Sequence, residues 1–279
     1  MQYSRYADIL REFEALLDYG IEVSNRLVGT LPTEKHHGYA DSIYTKLLCH
    51  AISLQKLSPQ TENKPEHEFW DLPSACAIAR CIIETHDVLG YMVFSDVPSE
   101  ERDFRVQVWQ LHDQQRRSKM LESVNSTDPR AEAIHHRAMS LRAEVQNHPL
   151  FKRLRKNLQK KIEAGDAPSY LLTHQEINSA NGVNHDYHTS ATMWLSQYVH
   201  TFPMSLHQLN EFRAGTPEAL QISSMPIQYS LGFLARSVRK MTEAFPHANI
   251  EVSDSDKRKL FRWCTVVEQG VTAPQWRAQ

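Results

Sequence analysis

The stretch from Asp71 to Phe94, DLPSACAIARCIIETHDVLGYMVF, decides the fold of this chain. Most of its positions are apolar or small, and a helix that is apolar nearly all round is normally buried on nearly all sides. The sequence therefore predicts a helix running through the middle of a helical domain. Asp71 is expected to cap it, with Pro73 in the first turn, where a missing N–H costs little.

This helix also carries one narrow polar stripe. At about 100° per residue, Arg80, Glu84, Asp87 and Tyr91 fall within roughly 60° of one another on a helical wheel. Charged side chains in the middle of a domain need partners, and Arg80 and Glu84 lie one turn apart. We expect them to form a buried ion pair that either fixes neighbouring helices or forms the floor of a ligand or active site.

Apolar residues recur at three- and four-residue steps along most of the chain, and few segments alternate with period two. The first such run, Tyr3 to Leu27, predicts a long amphipathic helix. The predicted fold is all-α, a single bundle of about eight to eleven helices over residues 1–279. Residues 213–279 either form a C-terminal subdomain or complete the bundle. Expected helix starts lie at Ser99, Asp128-Pro129, Thr173-x-x-Glu176, Asn184 and Ser224-Met225-Pro226.

Composition limits where the protein acts. Lys and Arg number 31 against 33 Asp and Glu, so the net charge of -2 gives no general attraction to nucleic acid or anionic lipid. The four cysteines form no CxxC pair, which favours buried thiols in a reducing cytosol. The first residues lack a signal-peptide core, and residues 71–94 are too polar to span a membrane. A cytoplasmic protein without membrane association is predicted.

A second polar stripe lies on the helix expected after Asn184. Ser196 and His200 are one turn apart there, in line with His185, Thr189 and Thr192. No G-x-S-x-G elbow accompanies them, which disfavours a hydrolase triad. A polar seam between two helices is the better interpretation. If His200 meets Arg80 or Glu84, the two stripes form one buried cluster.

Metal binding is not expected, nor is any cofactor. Glu34-x-x-His37 and Glu132-x-x-His135 have the spacing of a carboxylate-bridged di-iron site, which needs two ExxH helices and two further inward glutamates. The first motif lies in a predicted loop and the second on a weakly apolar helix. With this many Glu and His, about one such match is expected by chance.

DNA binding is also not expected. Residues 173–195, THQEINSANGVNHDYHTSATMWL, resemble a helix-turn-helix in the turn at Gly182-Val183 and the capped second helix. That interpretation needs basic residues to meet phosphates, and residues 162–212 contain no Lys or Arg. The basic run FKRLRKNLQKK at 151–161 is a weak indication of RNA, since such runs are usually solvated helix faces.

Arg80-x5-His86 resembles the R-x4-6-H motif of HEPN ribonucleases, all-α proteins in which a paired Arg and His near a dimer interface cleave RNA. The resemblance implies an RNA-cleaving homodimer in a toxin or phage-defence setting. Cys81 follows the arginine, where that family prefers a polar residue. His86 lies roughly 120° from Arg80 on the wheel, so the two would need a second subunit to act together.

Three stretches in order, ARCIIETH, PSEERDFRVQVWQLHDQQRRSKML and GVNHDYHTSATMWLSQYVHTFPMSL, resemble a broad bacterial all-helical family of unknown function. Its pattern is an R-x-x-x-E helix, a charged helix and a Y…S-x-x-x-H helix, here over roughly residues 40 to 210. The resemblance implies a shared fold and a shared polar cluster, without an assigned activity. The candidate ligand-binding residues are Arg80, Glu84, Tyr187, Ser196 and His200, and the catalytic candidates are Arg80, Glu84, His86 and His200.

Two hypotheses follow for the function. The protein is either a helical domain whose polar cluster is structural or binds a small polar ligand, or a HEPN-like RNA-cleaving protein. The second needs a homodimer, and the sequence identifies no other partner.

Overall fold

The computed structural model describes residues 1–29, 36–59 and 70–271, and every regular element within these ranges is helical. The all-α multi-helix prediction is confirmed. This part of the chain contains eleven α-helices: α1 (Tyr3–Leu27), α2 (His37–Leu57), α3 (Leu72–Leu89), α4 (Ser99–Ser123), α5 (Pro129–Asn147), α6 (Lys156–Glu163), α7 (His174–Asn181), α8 (His185–Val199), α9 (Pro203–Glu211), α10 (Pro217–Ala244) and α11 (Asp254–Gln269).

Three shorter helical segments join these elements. A π-helical turn, Gly90–Phe94, follows α3 directly, and 3₁₀ turns occupy Pro149–Arg153 and Pro246–Ala248. The basic run at 151–161 is divided between the first 3₁₀ turn and α6, because Leu154 and Arg155 have extended backbone between them. Glu34 of the first metal motif considered above lies outside the described residues.

The caps expected from sequence are mostly present. The Asp71 carboxylate accepts a hydrogen bond from the Ser74 amide at 3.1 Å, and the Asn184 side chain accepts one from Tyr187 at 2.9 Å. Thr173 and Glu176 form the reciprocal capping box, since each side chain accepts from the other residue's amide. Satisfying these otherwise unpaired amides fixes where α3, α7 and α8 begin.

One predicted helix start is wrong, and a second is right without the expected cap. α4 begins at Ser99 as expected, but Pro98, rather than Ser99, occupies its cap position, and no side chain caps that end. The helix expected to start near Pro226 begins at Pro217, capped by Thr216, so that Pro226 lies inside α10. A proline inside a helix removes a backbone hydrogen bond. Burial along most of α10 stabilises the helix against that loss.

The described residues form two compact units. In the first, α3 packs against α2, α8 and α10, while α10 also packs against α1 and α11. Cys76, Ala79, Ile82 and Ile83 of α3 are fully buried, and each buried isoleucine contributes roughly 1.5–3 kcal/mol. Within the first unit, α3 therefore has the central position that the sequence predicts. The prediction of a single domain over residues 1–279 stays a prediction.

The second unit contains α4, α5 and α6. Its core is a cluster of eight buried side chains: Phe104, Val108, Leu111, Leu141, Val145, Phe151, Ile162 and Ala167. The first unit contains the candidate residues that were named from the sequence and that the structure describes. The exception is the rejected metal motif at Glu132 and His135, which lies in the second unit.

Candidate functional site

Arg80 joins α3 to α8 through its guanidinium. Its Nε donates to Oε1 of Glu84 at 2.8 Å, and its Nη1 donates to Oγ of Ser196 at 2.6 Å. The same Nη1 lies 3.5 Å from Nε2 of His200. We call these four side chains the Arg80 cluster. The contact expected between the two polar stripes is present, since residues 116 and 120 positions apart meet across the helix pair.

The Arg80 cluster is not buried, and the prediction on this point is wrong. The side chains of Arg80 and Glu84 are 31 % and 53 % exposed, and His200 is exposed at the C-cap of α8. The remaining faces of α3 pack against α2 and α10, so the polar stripe comes to the open edge of the seam with α8. An ion pair this accessible contributes at most about 1 kcal/mol to stability.

Tyr187 lies elsewhere. Its ring stacks on Phe233 at 6.2 Å and meets Tyr229 edge-on at 6.0 Å, both on α10. Nine residues of helix, about 13 Å, separate it from Ser196. Burial raises the pKa of its hydroxyl. The structure therefore brings four of the five predicted ligand-binding residues together and places Tyr187 in an aromatic core.

His86 does not share the surroundings of Arg80. It is buried, its ring meets Phe233 edge-on at 5.1 Å, and its Nδ1 lies 3.4 Å from Oδ1 of Asp87. The other carboxylate oxygen of Asp87 is 2.8 Å from Nε2 of His188 on α8. These three residues form a second group, the His86 cluster, in which the Asp87 side chain is only 2 % exposed.

The charge of the His86 cluster is concentrated on Asp87. Burial by itself would raise the pKa of this carboxyl group, but the hydrogen bonds from His188 and His86 outweigh it and hold the pKa below its usual value. An ionised carboxylate only accepts hydrogen bonds, so His188 Nε2 and His86 Nδ1 carry the protons. Burial lowers the pKa of His86, so its ring is neutral at pH 7 and its Nε2 is an acceptor.

The two clusters lie along the same helix pair. Arg80 and Asp87 are seven residues apart on α3, while their partners Ser196 and His188 are eight apart on α8 in the reverse order. The two helices are therefore antiparallel, and the stripe predicted on α3 faces α8. Sequence reasoning placed Asp87 on this stripe but missed His188. A buried acid needs a hydrogen-bond partner. Because Asp87 lies two turns after Arg80 and the helices are antiparallel, that partner had to lie about two turns before Ser196, and this spacing could have identified His188.

Within residues 1–29, 36–59 and 70–271, no group of three or more His, Cys, Asp or Glu side chains is placed to hold a metal ion. Of the two motifs considered above, His135 contacts Glu122 at 3.5 Å and Glu132 contacts His136 at 3.6 Å, all at the surface. None of the helices in these ranges has the length and apolar character needed to cross a membrane.

Fold and site together define an all-α protein with a polar seam between two antiparallel helices. The chain belongs to the family of unknown function DUF5677, whose model matches residues 50–216. The predicted membership of an all-helical family of unknown function is thereby confirmed. The matched range contains α3 to α9 and therefore both clusters, whereas α10 and α11 lie beyond it. No curated protein and no solved structure matches the chain.

Proposed function

We propose that the protein is a ligand-binding helical domain and that the Arg80 cluster binds a small polar molecule. The observation that carries this proposal is the state of the Arg80 guanidinium. Glu84 and Ser196 hold two of its nitrogens, so its plane is fixed by side chains from two helices. Its third nitrogen, Nη2, has no hydrogen-bond partner among the described residues, and the side chain is accessible.

The free groups of the cluster indicate the chemistry of the ligand. Arg80 Nη2 is a donor, and Oε2 of Glu84 is an acceptor without a protein donor in the described part of the chain. Because the carboxylate neutralises the guanidinium, a simple anion gains little net attraction here. A neutral group that both accepts and donates fits better, as a carboxamide or a vicinal diol does.

A purely structural role is the competing explanation. In that case Arg80 serves only to hold α8 against α3, and the exposed groups bind water. The two roles differ in a measurable way. A preorganised binding group loses ligand affinity when Arg80 changes, whereas a clamp loses only stability.

Binding can be tested by titrating the full chain with glutamine, ribose and adenosine. The side-chain Nε resonance of Arg80, assigned by its disappearance in Arg80→Gln, should shift for at least one probe. Arg26 is a matched control, because its Nε also pairs with a glutamate one turn away, Glu22, at 3.2 Å with 47 % exposure. Its resonance should stay in place. Failure of all three probes to move the Arg80 signal would overturn the proposal.

RNA cleavage is the second candidate, and one observation favours it. An Arg and a His do meet at an accessible surface, but the histidine is His200, 3.5 Å from Arg80 Nη1, rather than His86. In this candidate reaction His200 takes the proton of a ribose 2′-hydroxyl, and the 2′-oxygen attacks the phosphorus of a phosphate held by Arg80. The bond from phosphorus to the 5′-oxygen breaks, and the leaving oxygen takes the proton from His200.

Incubation with mixed RNA tests this candidate directly. Cleavage by the wild type that is lost in Arg80→Ala and His200→Ala, but retained in His86→Ala, would support it. Loss in Arg80→Ala and His86→Ala with His200→Ala active would instead support the HEPN-like motif. Intact RNA in the presence of folded wild-type protein contradicts both.

A further inference from the structure

A cavity lies between the end of α3, the end of α7 and α10. It holds about 360 Å³ of empty space, part of it open to solvent. The polar residues lining it are His86, Asn181, Arg236, Ser237 and Lys240. It therefore borders the His86 cluster at His86, and it is separate from the Arg80 cluster, none of whose residues line it.

Two buried donors at this cavity have no acceptor in the described chain. Arg236 is 3 % exposed, and its Nε makes no hydrogen bond, although Nη1 donates to Glu268 and Nη2 to the Asn181 carbonyl oxygen. The side-chain nitrogen of Asn181 is also buried without an acceptor. A buried donor without an acceptor destabilises the fold, so a ligand rich in acceptor oxygens would gain both hydrogen bonds.

The absence of a side chain at Gly90 lets the Asn181 side chain lie close to the backbone at the end of α3. Asn181 packs on Gly90, where an added Cβ would lie 2.1 Å from the amide nitrogen. Gly90 also begins the π-helical turn after α3, and such turns occur frequently at functional sites. A side chain at position 90 would displace Asn181 from the cavity.

Charge at the cavity favours an anion. The two charged side chains that line it, Arg236 and Lys240, are both cations, and the carboxylates that pair with them, Glu268 and Glu243, lie outside the lining. Asp87 contacts His86 but does not line the cavity. His86 contributes no positive charge but offers an acceptor nitrogen, Nε2, opposite its contact with Asp87.

The geometry points to a binding site for a small oxyanion that carries a proton, such as hydrogen phosphate, in this cavity. Arg236 Nε, the Asn181 amide and Lys240 donate to its oxygens, and its O–H donates to Nε2 of His86. This site goes beyond the Arg80 cluster and does not depend on it. Inorganic phosphate keeps this proton at neutral pH, whereas a phosphate monoester, with a second pKa of about 6, is mostly a dianion without it.

Calorimetric titration of the full chain tests the site with inorganic phosphate, glycerol 3-phosphate and sulfate at equal ionic strength. Inorganic phosphate should bind more tightly than sulfate, which has no proton to donate at neutral pH, and more tightly than glycerol 3-phosphate, most of which has none on its phosphate group. No binding of inorganic phosphate, or sulfate binding as tightly, would overturn the proposal.

Substitutions identify the residues that bind the phosphate. Lys240→Gln should weaken it roughly tenfold. Lys259→Gln is the matched control, because Lys259 pairs with Asp256 at 3.0 Å and is 39 % exposed, against 3.1 Å and 38 % for Lys240 with Glu243. Asn181→Asp, which keeps the shape but repels an anion, should abolish binding. Arg80→Gln should leave it unchanged, which separates this result from that for the Arg80 cluster. Equal weakening by Lys259→Gln would overturn the assignment.

Discussion

Nε2 of His188 lies 2.8 Å from Oδ2 of Asp87, and both side chains are almost completely buried. The contact joins α8 to α3 at residues 101 positions apart in the chain. A buried carboxylate is stable only when hydrogen bonds replace its lost hydration. Asp87 receives them from two imidazoles, so this part of the seam is fixed, whereas the Arg80 cluster on the same helices remains accessible to solvent.

Replacing Asp87 by Asn should destabilise the protein by about 3 kcal/mol, because two buried imidazole donors then compete for one amide oxygen. Urea unfolding followed by circular dichroism measures the change. Asp8→Asn is the control, since Asp8 forms an exposed pair with Arg11 and should change stability by less than about 0.5 kcal/mol. Similar effects of both substitutions would contradict the role given to Asp87.

Replacing Glu84 by Ala should cost less than about 1 kcal/mol, because the pair with Arg80 is open to water. The buried ion pair expected from the sequence would instead have implied a loss of roughly 3–5 kcal/mol. Glu22→Ala, in the exposed pair with Arg26, should have a similar effect in the same urea assay. A loss above about 3 kcal/mol for Glu84→Ala alone would show that the pair is buried after all.

Stability should fall as the pH is lowered below about 6.5. Burial, with Arg236 and His188 adding to it and Asp87 opposing it, lowers the pKa of His86 in the folded protein. The unfolded chain therefore binds a proton that folded His86 does not, and the free energy of unfolding decreases as pH drops from the unfolded pKa toward the folded one. Asp87, whose pKa is also lowered, adds a further loss below about pH 4.

Urea unfolding at a series of pH values measures this dependence. His50 also has a lowered pKa, from burial and the nearby Lys46, so part of the slope should remain in His86→Gln. The variant should nevertheless show a smaller slope than wild type between pH 7 and pH 5. An unchanged slope would mean that His86 takes up its proton equally in both states.

Gly232→Ala should destabilise by roughly 1–3 kcal/mol. An added Cβ there would lie 2.3 Å from a Val267 methyl group and 3.3 Å from the Trp263 carbonyl oxygen, so α11 must move away from α10. Gly38→Ala in α2 is the control, because nothing lies within 4 Å of its added Cβ. That change should be neutral or stabilise by up to about 1 kcal/mol. The melting temperatures of the two variants would measure this difference, and equal values would contradict the close contact between α10 and α11 at Gly232.

Part of the candidate site was predictable because helical periodicity assigns side chains to faces. Arg80 and Glu84 on one helix and Ser196 and His200 on another followed from spacing alone, and they do meet. Tyr187 was misplaced because its position nine residues before Ser196 turns it toward Phe233 and Tyr229 of α10. Which helices flank a face is a long-range property that spacing does not contain.

By itself the sequence determined that the chain is helical, where α1, α3, α7 and α8 begin, and that α3 is central to its packing. These features depend on helix caps and on apolar periodicity, both of which are determined by residues a few positions apart in the sequence. Only the tertiary structure decided burial along the polar stripe. Arg80 lies at the open edge of the α3–α8 seam, and Asp87, two turns further, is enclosed by His86 and His188. The cavity at Arg236 likewise exists only because α10 returns to the end of α3.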